Sequence, residues 1–309
     1  MKYEKDAGHC TTTLTQPESN YIEELLRDYG MERCNPAPTA FPSGFIPTNK
    51  DCPKERNEKR GEKYRRLVGS LQWLQTMTRP DLGYYVSVLS RFLANPGQTH
   101  MDAAMHVLRY LQGTKLLGLK YTRDGGGLIG FVDADWAACK DTRKSVGGYL
   151  FKLAGAAICW KSKRQNVVAL STAEAEYIAA SKAAQEAIYL RRMLMDLGEC
   201  EAEATAMYED NESCIDLADH PSASDRTKHI DIRVYYLRQA KADGHVRLLP
   251  CHTGTMTADM LTKSLSGPCL KFHREDASGM SEQDYNPTRI AYPGNGKEKR
   301  DVQVRGVGG

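Results

Sequence analysis

GLIGFVDADWAACKDTRKSVGGYLFKLAGAAICWK, residues 127–161, is the stretch on which the fold turns. The apolar run Leu128 to Val132 ends at Asp133 and has the length and β-branched content of a strand. Two more such runs, Gly148 to Leu153 and Ala157 to Lys161, are separated by Ala154, Gly155 and Ala156, the spacing of a tight hairpin. Three consecutive strands therefore follow the turn at Asp124 to Gly127. Downstream the pattern changes to a long helix over about 172–197, a short strand over 204–208 and helices around 215–218 and 230–242. A strand over 245–250 and a final helix over about 257–265 complete the order βββαβααβα.

Upstream, an amphipathic helix is expected within 16–30. A polar stretch with Pro36, Pro38, Pro42, Pro47 and Pro53 then reads as an exposed linker over 34–60, and a small helical unit spans 61–116, broken at Arg79–Pro80 and at Asn95–Gly97. Residues 1–33 stand apart before the linker, the sheet domain occupies 117–272, and a polar tail of Asn, Pro, Gly and mixed charge is expected over 273–309. With 42 Lys and Arg against 39 Asp and Glu, the formal charge of +3 is too small to announce nucleic-acid binding, so any basic surface must be local. Nine cysteines without one C-x-x-C pair signal neither a zinc knuckle nor a disulfide framework, which suits a reducing intracellular compartment. No signal peptide and no run of eighteen apolar residues is present, so no membrane partner is expected.

The carboxylates carry the chemistry. Asp133 and Asp135 end the first strand, Glu174 and Glu176 open the long helix, Asp210 follows the fourth strand, and Asp259 opens the last helix. Two-metal phosphodiester hydrolysis needs acidic groups converging from separate elements, because no single segment can surround two cations about 3.5–4 Å apart. Helical periodicity separates the glutamates: steps of four and three from Glu176 reach Ala180, Ala183, Ala187, Leu190, Leu194 and Leu197, the stripe that faces the sheet. Glu174 lies about 200° round the helix and is expected to face solvent. Asp133 and Asp135 share a strand face, so alternation does not choose between them. Acidic residues near helix starts are common caps, but a carboxylate on a core stripe is costly unless paired or ligated, and Glu176 asks for a cation. Two basic clusters could hold phosphates: Lys161, Lys163 and Arg164 with Gln165 and Asn166, and Arg226, Lys228 and His229. Trp136 and Trp160 are read as packing, and Tyr189, Arg191 and Arg192 as an exposed helix face.

LSTAEAEYIA at 170–179 closely resembles the signature helix of copia-type RNase H domains. FVDADWA (131–137), TRKSVGGYLF (142–151), EDNESCIDLA (209–218), RTKHIDIR (226–233) and TADMLTKSL (257–265) stand round it in the family's order. GSLQWLQTMTRPDL (69–82) and LRYLQGT (108–114) resemble the helical segment that joins copia reverse transcriptase to its RNase H. The resemblance is thus to the C-terminal part of a copia-type LTR retrotransposon Pol polyprotein. It makes 1–33 a thumb-like remnant of the reverse transcriptase and 61–116 its connection segment.

The resemblance implies an α/β (α+β) RNase H-like fold: a mixed five-stranded sheet of order 3-2-1-4-5, its first three strands antiparallel, with packed helices and a small helical segment before it. The family's metal ligands fall on Asp133, Glu176, Asp210 and Asp259. Two Mg²⁺ ions, or Mn²⁺, would serve a ribonuclease H that cuts the RNA strand of RNA/DNA hybrids. His252 takes the place of a mobile histidine that helps product leave. The implied partners are the hybrid and an upstream reverse transcriptase domain, in a cytoplasmic virus-like particle or the nucleus. No Y-x-D-D polymerase motif and no integrase or protease signature is found, so no polymerase site is expected in this chain. Two other readings stay open, a catalytically silent hybrid-binding connector and a truncated retrotransposon relic.

Overall fold

A computed structural model describes residues 2–6, 11–15, 21–199, 203–219, 231–281 and 284. Strands β1 (Lys2–Asp6), β2 (Thr11–Thr15) and β3 (Leu119–Thr122) form a small antiparallel sheet, β2 in the middle. Neither β1 nor β2 is among the elements expected from the sequence; the charged KYEKD hides the first, whereas the Thr-rich TTTLT carries a legible β signal. Helices α1 (Tyr21–Asp28), α2 (Glu58–Met77), α3 (Gly83–Leu89) and α4 (Gln98–Gln112) make up the helical unit.

The second sheet contains β4 (Ile129–Asp135), β5 (Val146–Leu153), β6 (Ala156–Arg164), β7 (Thr205–Glu209) and β8 (Val246–Pro250), in the order β6-β5-β4-β7-β8. β4, β5 and β6 are antiparallel neighbours, whereas β7 runs parallel to β4 and β8 parallel to β7. This is the 3-2-1-4-5 arrangement of an RNase H-like α/β fold. The β5–β6 hairpin closes through two residues, Ala154 and Gly155, both with positive φ (53° and 88°). Such a primed turn matches the twist of its strands, and Ala156 already belongs to β6.

Alternation along β5 directs its residues to two cores. Tyr149 and Phe151 pack under α5 (Thr172–Asp196), α6 (Glu212–Asp219) and α7 (Asp231–Ala242). The α5 face is mostly alanine, which brings the helix close: Ala179 lies against Gly147. Val146 and Leu150 face the other way, into a core formed with α1–α4 and with Met260, Leu261, Leu270 and Ala277. The helical unit therefore covers the second face of the sheet and shares its core.

Three expectations change here. Residues 34–60 are not an exposed linker: Phe41 is fully buried and meets Tyr85 edge-on at 5.0 Å, and the Ala37 N–H donates to the Arg109 carbonyl at 3.1 Å. Prolines exclude regular structure there without excluding burial. The expected final helix is instead a 3₁₀ turn (Thr257–Leu261), followed by α8 (Gly267–Ser278), which has a proline in its first turn and ends at Gly279 with φ 64°. α8 buries His273, Arg274 and Ala277, so packed structure runs past the boundary expected at 272. Among the described residues, no helix is long and apolar enough to cross a membrane.

A buried ion pair ties these parts together. Arg79 and Asp81, 0% and 1% exposed, are joined by Nε–Oδ1 (3.0 Å) and Nη2–Oδ2 (2.8 Å) bonds. Arg79 also donates to the Thr114 carbonyl and hydroxyl, Tyr110 donates to Asp81 at 2.6 Å, and Arg274 of α8 donates to the Tyr110 hydroxyl at 3.2 Å. Burial would raise the Asp81 carboxyl, but Arg79 beside it and the Tyr110 hydroxyl hold it below its usual range. Asp81→Ala should lower the unfolding free energy by about 3–5 kcal/mol by stranding the guanidinium, whereas Arg79→Met with Asp81→Leu should recover part of the loss. Urea unfolding followed by circular dichroism reads both.

Candidate metal centre

β4 and β7 are hydrogen-bonded only as far as Phe131 and Tyr208, and both chains run on past that point. The crevice between them is where the connections leave in opposite directions, β4 toward β5 and β7 toward β8. That is where an open α/β sheet collects functional groups. Asp133 comes from the end of β4, Asp210 from the residue after β7, and Glu176 from the second turn of α5. One carboxylate oxygen from each lies within 4.8 Å of the others.

Glu176 is 5% exposed, and among the described residues its Oε2 has no hydrogen-bond partner. Burial, then Glu209, Asp133 and Asp210, push its carboxyl up to about 11 against a weaker pull from Lys263. Asp133, 3% exposed, is raised to about 6 by burial, with Lys263 opposing and Asp259 adding to the rise. A hard, all-oxygen set with an orphaned buried oxygen fits a divalent cation such as Mg²⁺ or Mn²⁺.

Asp259 sits on the 3₁₀ turn, 5% exposed, and is held by Lys263 Nζ at 2.8 Å. It adjoins the group of three without belonging to it, and burial raises its carboxyl despite Lys263. The turn reaches Asp133 because Gly148, paired with Asp133 across the sheet, has no side chain. A Cβ there would lie 2.8 Å from Leu261 Cβ and 3.0 Å from Thr262 Cγ2. The Thr262 hydroxyl donates to Asp133 Oδ2. Asp135 is half-buried and outside the group of three, to which Asp133 belongs.

Glu174 does not face solvent. It is 6% exposed and accepts the Leu170 N–H at 2.7 Å, while its own N–H donates to the Ser171 cap. The loop before α5 folds back over the first turn, where the Gln165 amide donates to the Ala175 carbonyl, and that covers a position the helical period turns outward. Glu209 went unnoticed in the sequence. It is fully buried, its Oε1 accepts the Asn211 N–H at 3.2 Å, and burial pushes it well above the usual range. The alternation Thr205, Met207, Glu209, all buried, was the available signal. Lys263 likewise lay in a quoted motif without a role.

His252 is exposed on the loop after β8, where its Nδ1 accepts the Gly254 N–H. Its neighbour Cys251 is pushed up to about 11 by burial and then by Asp210, Glu209, Asp259 and Asp133, which puts this loop beside the acidic cluster. Lys161, Lys163 and Arg164 line one groove with Gln165, Lys182 and Arg233. Arg226, Lys228 and His229 lie outside the described residues. Both tryptophan N–H groups are used in packing, Trp136 to the Ala169 carbonyl and Trp160 to that of Gln75, although Trp136 is 43% exposed. Of the expected outer face of α5, Tyr189 and Arg192 are exposed, whereas Arg191 is half-buried and bonded to the Glu203 carbonyl and the Thr205 hydroxyl.

Fold and site together define an RNase H-like protein with an acidic cluster at the carboxyl ends of its central strands. The chain is a homologue of the retrovirus-related Pol polyproteins of copia-type transposons. The one from tobacco transposon TNT 1-94 (Nicotiana tabacum) is 41% identical over 249 residues, 80% of this chain, and others are 34–37% identical. The chain spans only 19% of the length of the tobacco polyprotein. A shorter relative, the secreted RxLR effector protein 161 of Plasmopara viticola, is 50% identical over 128 residues, 41% of this chain and 90% of that protein. A crystal structure of LC11-RNase H1 in complex with RNA/DNA hybrid overlays 44% of this chain and 93% of that chain, at 12% identity and a TM-score of 0.34. No protein-family model matches the chain.

Asp133 and Glu176 both titrate higher when folded than their ordinary 3.8 and 4.5, so the metal-free fold keeps protons that the unfolded chain releases. Their contribution to stability is fully present below about pH 4 and is lost as pH rises, through about 6 for Asp133 and on toward about 11 for Glu176. Glu176→Gln, a neutral isostere, should melt about 5 °C or more above wild type at pH 8 in EDTA, and close to it at pH 4. Thermal melts at the two pH values, with and without Mg²⁺, check this; Mg²⁺ should raise only wild type.

Proposed function

We propose that this chain is the C-terminal part of a copia-type Pol polyprotein, connection segment plus RNase H domain, and that it hydrolyses the RNA strand of RNA/DNA hybrids with divalent metal. The observation that carries the reading is the convergence of Asp133, Glu176 and Asp210 within 4.8 Å, with a buried, unpartnered oxygen on Glu176. In this reading residues 1–33 are a remnant of the reverse transcriptase, 61–116 its connection segment and 117–272 the nuclease domain, closed by α8. An upstream reverse transcriptase domain would be the protein partner, and the activity would operate inside the cell, in a virus-like particle or the nucleus.

Asp133, Glu176 and Asp210 would hold the metal, with Asp259 as a fourth ligand. When bound, divalent ions activate a water and neutralise charge on the phosphate that it attacks. Glu176 must give up its proton to serve as a ligand, so metal uptake releases protons and strengthens as pH rises. The carboxylates would hold the metal that meets the reacting phosphate, while Lys161, Lys163 and Arg164, with Lys182 and Arg233, supply the charge that grips phosphates along the groove they line. Arg226, Lys228 and His229 are assigned the same role. His252, exposed on the loop after β8, would be the mobile histidine that helps product leave.

Labelled RNA/DNA hybrid should be cut by wild type in Mg²⁺ and not in EDTA, and Asp210→Asn should lower the rate by about 100-fold or more. An intact hybrid bound by folded wild-type protein would replace the nuclease by the silent connector. Replacing Lys161, Lys163 and Arg164 together by Ala should flatten the slope of log affinity for hybrid against log salt by about 2–3, as read by fluorescence anisotropy.

A further inference from the structure

The acidic cluster is unevenly served by the protein's own cations. Among the described residues, neither Glu176 nor Asp210 has an ion pair. On the other side Lys263 Nζ lies 2.8 Å from Asp259 Oδ1 and 3.9 Å from Asp133 Oδ2. The two carboxylate side chains are 8% and 4% exposed, whereas the Lys263 side chain is 34% exposed. The ammonium thus stands between two buried carboxylates with its way to solvent open. The main chain that carries it is anchored, since the Lys263 N–H donates to the Asp259 carbonyl at 3.1 Å, and Thr262 beside it donates to Asp133.

We propose that Lys263 is a positioning residue that acts as a built-in counter-cation for Asp259 and Asp133, so that without nucleic acid the cluster takes one divalent ion, on Asp133, Glu176 and Asp210, and Asp259 is open to a second only once the ammonium has swung out. This inference rests on the metal-centre reading above. A divalent ion on Asp259 would lie within a few ångströms of a fixed positive charge, and at that range like charges repel strongly wherever water is excluded. The ammonium also meets, in the absence of metal, the cost of burying two carboxylates side by side. Its flexible stem lets it leave without moving the turn. Entry of the second ion is therefore coupled to where Lys263 points, and a polyanion that draws the ammonium outward favours it.

Isothermal titration of the full chain with Mn²⁺ alone at neutral pH, with bound ions counted by electron paramagnetic resonance, tests this. Wild type and Lys263→Arg should bind one ion, and Lys263→Gln and Lys263→Met should bind two. One ion in both neutral variants, or two in wild type, overturns the proposal and leaves the metal centre standing. No ion in wild type overturns both. If a neutral variant is unfolded without metal, recovery of its circular dichroism by Mn²⁺ with two ions bound supports the proposal, and failure to recover assigns Lys263 to packing and overturns it.

Discussion

Crowding carboxylates away from water is the constraint on which the rest of this structure depends. Asp133, Glu176, Glu209 and Asp259 are each 5% exposed or less, and they converge with Asp210 where β4 and β7 part. Left ionised and unpaired, such a group would not stay folded. Protons on Glu176 and Glu209, the Thr262 hydroxyl on Asp133, the Asn211 N–H on Glu209 and the Lys263 ammonium share the task of making it tolerable. Each of these arrangements is one that a divalent cation can replace or complete.

The helical unit has a direct part in this. Asp259 sits on a 3₁₀ turn with too few internal hydrogen bonds to hold itself, so its position comes from what it packs against. On one side is Gly148 of β5, and on the other is Gly83 at the start of α3, where a Cβ would come within 2.8 Å of Leu261. Met260 and Leu261 lie in the same core as α2, α3 and α4. The Arg79–Asp81 pair fixes α3 relative to α4 and, through Tyr110 and Arg274, to α8. A helical unit that precedes the larger sheet in the chain thereby positions Asp259 beside the acidic cluster. This gives a physical reason for the helical unit and the sheet domain to stay together as one piece.

The basic groove is lined from β5, β6, α5 and α7, and the acidic cluster comes from β4, α5 and the residue after β7. α5 serves both: Glu176 near its start joins the carboxylates, and Lys182 less than two turns later lines the groove. Its alanine face lets the helix sit close enough to the sheet for a short glutamate side chain to reach the crevice.

Strand alternation, helical period and turn signals are local properties that survive without neighbours, and they marked the five strands of the larger sheet, the long helix and the acidic positions Glu176, Asp210 and Asp259 with the pair Asp133 and Asp135; the strand order came from the resemblance to RNase H domains alone. Glu176 was legible for that reason, and Glu209 would have been by the same alternation. Packing settles the places where a local pattern meets a distant partner. Residues 34–60 read as exposed yet bury Phe41, because prolines report on backbone hydrogen bonding and not on burial. Glu174 turned inward when the loop before α5 folded over it. Asp133 rather than Asp135 joins Glu176 and Asp210 only once β4, α5 and β7 are packed together, and the bridging place of Lys263 depends on how the 3₁₀ turn lands beside Gly148. Those contacts are set by packing between segments that no periodicity within either one encodes.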